Sequence, residues 1–104
     1  MVSRHWMGLA HRDRANEYVL HLQHDTFRKI KSINGFKAAH ILKREVDEGT
    51  EFLIITEWEN IDAIKEFAGA NFDVAVVPQL VQEIMIRYDD KVRHYDVEFE
   101  TAAK

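Results

Sequence analysis

Phe52-Leu53-Ile54-Ile55-Thr56-Glu57-Trp58-Glu59-Asn60-Ile61-Asp62-Ala63-Ile64-Lys65-Glu66-Phe67 decides how this chain folds. A run of β-formers ends in Trp58, and an amphipathic helix starts at once behind it. Asn60 is a good N-cap, because its side-chain oxygen accepts from a backbone N–H that the first turn leaves unpaired. Ile61, Ile64, Phe67 and Ala68 then recur at helical spacing on one side, and Gly69 is the expected stop. The joint places a large aromatic at the end of a strand, where an indole can stack on a ligand or close a core.

Working outward, Asp47-Glu48-Gly49 reads as a hairpin turn, so Glu51–Trp58 returns antiparallel to a strand from Phe36 to about Glu45. Asn34-Gly35 is the turn before that strand. Val2–Ala10 alternates as a strand, with His5, Met7 and Leu9 on one face and Arg4, Trp6 and Gly8 on the other. Asp13 is predicted to cap a helix reaching about Ile30. Its stripe is Ala15, Tyr18, Val19 and Leu22, widened by Leu20, Phe27 and Ile30. His21, His24, Asp25 and Arg28 fall on its polar face. Val74–Val77 fits a short strand or a helical turn. Pro78 can open a short helix carrying Leu80, Val81, Ile84 and Met85. A last strand is expected from Lys91 to Phe99, with Val92, His94, Asp96 and Glu98 opposite Arg93, Tyr95, Val97 and Phe99.

Strand, helix, strand, strand, helix, strand is the split βαβ, ferredoxin-like α+β order: a four-stranded antiparallel sheet with helices on one face. A half-solvated antiparallel sheet alternates apolar and polar residues. The third strand does not, since Phe52, Ile54 and Trp58 oppose Leu53 and Ile55. In the second, Phe36, Ala38 and Leu42 oppose Ala39 and Ile41. The second sheet face is therefore expected to bury against another copy, giving a homodimeric, barrel-like assembly with an enclosed cavity.

The 104 residues suit one domain, 1–104, and a chain of this size gains from burial by self-association. A net charge of −4 argues against nucleic acid as a partner. No apolar run approaches the ~20 residues that span a bilayer, so no membrane partner is expected. The absence of a signal-type apolar region at the N-terminus points to the cytoplasm. With no cysteine, disulfides and thiolate nucleophiles are excluded. There is no Gly-rich phosphate loop, no Gly-x-Ser-x-Gly elbow and no redox-cofactor motif, so no cofactor is predicted.

Several patterns together resemble the antibiotic biosynthesis monooxygenase family of the dimeric α+β barrel superfamily. They are Arg4-His5-Trp6-Met7-Gly8 with Ala15-Asn16-Glu17-Tyr18, Ile33-Asn34-Gly35-Phe36, Glu51 to Trp58, Ala63-Ile64-Lys65-Glu66-Phe67-Ala68-Gly69, and Val92-Arg93-His94-Tyr95-Asp96-Val97. The resemblance covers nearly the whole chain. It implies a homodimer with a pocket between sheet and helices, and either cofactor-independent oxidation of quinols or haem degradation. The haem-degrading branch pairs a tryptophan after strand three, matched by Trp58, with an asparagine on strand one and a ligand histidine after helix two. Strand one has no asparagine, and Val76 falls where the histidine belongs. This argues against haem degradation.

Trp58 is the first candidate for a substrate-binding residue, with Trp6 and Tyr88 beside it. His40 and His94 are the candidate catalytic acid–base groups, since a cavity histidine can move a proton near neutral pH. His5 and Trp6 point to opposite faces, so only one reaches a given cavity. His21 and His24 stand at i, i+3 on a polar face without a third ligand, so no metal is expected; His21 and Asp25 read as a weak solvated pair. The leading expectation is cofactor-independent oxygenation of a small apolar or aromatic phenol or quinol. Two alternatives are a non-catalytic ligand-binding or stress-response dimer, and a histidine-dependent cyclase or isomerase.

Overall fold

A computed structural model describes residues 1–103. Strands β1 (Val2–Ala10), β2 (Phe36–Val46), β3 (Gly49–Trp58), β4 (Met85–Tyr88) and β5 (Arg93–Asp96) form one antiparallel sheet. Its order is β2-β3-β1-β4, and β5 also pairs with β1. Helices α1 (Ala15–His21), α2 (Phe27–Ile30), α3 (Ile61–Ala68) and α4 (Gln79–Ile84) pack on one face. This is the ferredoxin-like α+β arrangement that the element order predicts.

The alternation of β1 holds as expected. It pairs with β3 over its full length, from Val2 opposite Trp58 to Ala10 opposite Thr50. Arg4, Trp6 and Gly8 turn toward the helices and are buried, while Ser3, His5 and Met7 on the other face are half-buried. Gly8 is dictated by the packing: a Cβ there would stand 2.6 Å from the Trp6 ring and 2.9 Å from the Met85 sulfur.

The edge strand departs from expectation. Instead of one strand over 91–99, two short segments share the edge of β1. β4 pairs with its end, from Gly8 opposite Tyr88 to Ala10 opposite Met85. β5 pairs with its start, from Val2 opposite Asp96 to His5 opposite Arg93. Asp89 closes the break, its backbone N–H donating to Met7 O at 2.9 Å and its carboxylate accepting from Met7 N at 3.1 Å. Met85, expected in the helix, instead opens β4.

Strand two also differs. A register shift between Phe36 and Ala38 puts Phe36 opposite Trp58 and Ala38 opposite Glu57. A bulge of this kind inserts one residue and flips everything beyond it to the other face. Phe36 therefore packs on the helix side, edge-on to Trp58 at 5.3 Å, and Ala38, His40 and Leu42 lie on the open face.

The first helical region is continuous but not uniform. Asp13 caps nothing; it sits in a 3-10 turn, Arg12–Arg14, and α1 begins without a side-chain cap. A π-helical turn, Leu22–Thr26, then separates α1 from α2. The buried positions explain it. Ala15, Tyr18 and Leu22 are spaced three and four apart, but Ile30 comes eight after Leu22. At 3.6 residues per turn that would swing Ile30 about 80° off the stripe. One extra residue in the wide turn brings it back, and Ile30 is fully buried. Asn60 caps α3 as expected, accepting from Ala63 N at 2.9 Å, and Gly69 ends it with φ 85°.

Candidate active site

A cavity of about 70 Å3 lies between the sheet and the helices, centred on Trp6 and Ile54 of the sheet and on α1, the π turn and α2. Its lining is mainly apolar and aromatic, with Tyr18, Leu22, Phe27, Phe67 and Val81 prominent. Polar side chains in the lining are Arg4, Tyr18, His21, Thr26 and Thr56. An outer recess of about 330 Å3 shares Thr26, Phe67, Val76 and Pro78 with the inner cavity and carries Asp25, Lys29 and Glu66 at its rim. Inner cavity and recess together reach the lower end of the roughly 300–1,000 Å3 typical of ligand pockets.

Arg4 is 5% exposed, an unusual depth for a guanidinium. Nη1 donates to Phe72 O at 2.6 Å and to His94 Nε2 at 3.0 Å, and Nη2 donates to Val74 O at 3.4 Å. Its carbon centre lies 5.7 Å from the Phe67 ring centroid. Among the described residues no carboxylate forms an ion pair with it. Burial pulls its pKa down to about 10, against the pull of Asp73 in the other direction.

His94 stands behind Arg4. Since Nε2 accepts from Arg4, its proton is on Nδ1, which faces Asp73 Oδ1 at 3.3 Å. Burial and the neighbouring Arg4 lower its pKa, with Asp73 opposing, so the ring is held neutral. Its geometry suits orienting Arg4 rather than taking a proton from a ligand.

Trp58 is fully buried and does not line the cavity. Its indole N–H donates to Thr56 Oγ1 at 2.9 Å, and its ring stacks on Phe67 at 6.0 Å and 19°. Thr56 and Phe67 do line the cavity, so Trp58 supports the wall from behind. Trp6 is the tryptophan in the lining; its N–H donates to Asp89 O at 2.9 Å. Tyr88 packs beside Trp6 at 6.2 Å, outside the inner cavity, and borders a separate surface recess with Met7, Glu48 and Arg87. His40 is exposed on the open sheet face, across from Ile55, and so on the opposite side from the cavity. The structure thus brings Trp6 into the lining, sets Trp58 and His94 just behind it, and leaves His40 away from it.

Besides Arg4, two lining residues escaped the sequence reading as site residues. His21, expected on a solvated face, has only 9% of its side chain exposed and lines the cavity. Nε2 lies 3.4 Å from Thr26 Oγ1, five residues on, across the π turn. π turns recur at functional sites. Tyr18 belongs to the predicted apolar stripe, but its hydroxyl has a chemical use too. No buried side-chain oxygen or nitrogen among the described residues lacks a partner, and the Tyr18 hydroxyl has no protein partner, so it is open to water. Burial pushes its pKa up, so it stays a neutral phenol that can both donate and accept a hydrogen bond.

The fold is that of the antibiotic biosynthesis monooxygenases. A Bacillus cereus protein named for that activity matches all of this chain and 97% of its own, with a TM-score of 0.71 and 19% identity. A haem degrader from Mycobacterium tuberculosis, solved with two haems in its active site, matches 98% of this chain and 100% of its own, with a TM-score of 0.67 and 15% identity. A Streptomyces coelicolor monooxygenase bound to nanaomycin D matches 99% of this chain and 92% of its own, with a TM-score of 0.61 and 11% identity. No known family's sequence pattern matches the chain, and no curated protein matches it in sequence.

One of these proteins holds haem. Val76 stands in the wall where the resemblance places an iron ligand, and an apolar side chain cannot ligate iron. Among the described residues, no three His, Asp or Glu side chains gather as a metal site. The ligand pattern of the haem-degrading branch is therefore not present in this wall.

Proposed function

We propose that the cavity binds a small phenol-type aromatic compound and that the protein oxidises it with molecular oxygen, without a cofactor, as a homodimer. The observation that carries this reading is an aromatic-lined cavity between sheet and helices that holds one imidazole, His21, beside a π turn. Stacking surfaces from Trp6, Tyr18 and Phe27 suit a planar ring, and His21 can take the phenolic proton. The reaction balances with the substrate as sole reductant. The phenolic hydrogen and the ring hydrogen para to it leave, one oxygen atom becomes the new carbonyl, and the other departs as water. The product is a quinone.

Dimerisation belongs to the same reading. Met7, Leu42, Leu53 and Ile55 form an apolar centre on the sheet face that the helices leave uncovered. A second sheet would bury it. No helix among the described residues is long and apolar enough to cross a membrane.

The test is oxygen uptake with a panel of phenols and naphthols, native protein against His21→Gln. The expected result is one oxygen consumed per quinone formed, and a loss of about 100-fold or more in the variant, as for removal of a general base. Substrate turnover without oxygen uptake would move the protein to the proton-transfer alternative. Saturable binding with no turnover would leave a ligand-binding protein.

A further inference from the structure

We infer that Arg4 is an anchor for a carboxylate, so that the ligand of this cavity is an aromatic acid. The inference rests on the cavity being a substrate site and names the substrate class within it.

A guanidinium carries five N–H donors. Three of Arg4's have partners: two on Nη1, to Phe72 O and His94 Nε2, and one on Nη2, to Val74 O. Nε–H and one Nη2–H have none among the described residues. Nε is nevertheless not sealed away, since no buried side-chain nitrogen lacks a partner. The space that Arg4 borders is the cavity. Two N–H groups on adjacent nitrogens of one planar fork match the two oxygens of a carboxylate.

Charge points the same way. A buried cation is costly unless paired. The groups touching this one are two carbonyls and a neutral imidazole, which satisfy donors but do not cancel charge. Asp73 lies beyond His94 and two-thirds of its side chain is exposed. An anion entering the cavity would supply the missing charge. The Phe67 ring near the guanidinium, and Trp6 and Tyr18 farther along the wall, ask that the anion be joined to an aromatic ring. His94, fixed by Asp73, is the positioning residue that holds the fork's free edge available.

The experiment is calorimetric titration with 3-hydroxybenzoate and with 3-hydroxybenzamide, which has the same shape and no charge. Native protein should bind the acid about 10- to 100-fold more tightly than the amide, the range for a charge-assisted, two-pronged hydrogen bond. In Arg4→Met that preference should vanish while the amide still binds. Arg4→Lys retains charge without the fork, should fold whatever Met does, and should lose most of the preference. Equal binding of acid and amide by native protein would overturn the anchor and leave the aromatic cavity standing. Binding of neither at millimolar concentration would overturn both.

Discussion

Replacing Trp58 by Phe separates a wall-supporting residue from a ligand contact. The indole has no exposed surface, donates one hydrogen bond to Thr56 and touches Phe36 and Phe67. Phenylalanine keeps one ring and removes the N–H. The lost hydrogen bond costs about 1 kcal/mol net. Removing the whole Trp side chain costs about 3–5 kcal/mol, and Phe restores roughly three-quarters of the buried carbon, so the void adds about 1–2 kcal/mol. The variant should lose about 2–3 kcal/mol in urea denaturation, and its midpoint should fall by roughly 10–20 °C. In a double-mutant cycle with Thr56→Val the two losses should couple by about 1 kcal/mol. Binding of 3-hydroxybenzamide should weaken only a few-fold. A variant of native stability with binding reduced tenfold or more would refute the reasoning and make Trp58 a direct ligand contact.

Gly8→Ala should cost about 1–3 kcal/mol in thermal denaturation and perturb Trp6 fluorescence, since the new Cβ falls within 2.9 Å of both Trp6 and Met85; an unchanged melting curve would contradict the close approach. Stability should depend on pH through His94 and His5. Burial is the first cause of the lowered pKa in each, aided by Arg4 at His94 and by Arg93 at His5. Between the folded and unfolded pKa values the unfolded chain holds more protons, so stability should be full above about 6.5 and fall as pH drops below it. Urea denaturation from pH 5 to 8 reads this, and His94→Gln should flatten part of the slope; a curve rising toward acid would reverse the sign. A native mass spectrum should show a dimer, and Leu53→Glu should convert it to monomer; a monomeric native protein would remove the argument from the open sheet face.

What could be read from the sequence was what local chemistry specifies. The cap at Asn60, the stop at Gly69, the Asp47-Glu48 turn and the alternation of Val2–Ala10 are each set by a few neighbouring residues, and all four stand in the structure. What escaped depends on insertions of one residue. The bulge at Lys37 reverses Phe36, and the π turn rotates the helix beyond Leu22. Neither leaves a residue-type signal, because a pattern of period 2 or 3.6 shows a slip only once the buried side is known. Ile30, eight positions past Leu22, was the one available clue. His21 precedes the π turn and stands three residues after buried Tyr18; it was missed because a histidine beside Asp25 reads as solvated by residue type. Arg4 was missed for another reason: arginine on a strand reads as a solvated position, and only the whole fold shows carbonyls from residues 72–74 closing over it.

The two sheet faces make opposite demands on the same strands, and this allows the proposed chemistry and the proposed assembly to be pulled apart. On β3, Ile54 lines the cavity, and Ile55, one residue on, lies on the open face between His5 and His40. Ile54→Ala should enlarge the cavity and alter ligand affinity while leaving association unchanged. Ile55→Glu should place a charge in the middle of the sheet–sheet contact and dissociate the dimer, yet leave the walls around Arg4 intact. If ligand binding fell with Ile55→Glu as far as with Ile54→Ala, the cavity would require the second copy, and the site drawn from one chain would be only half of the functional one.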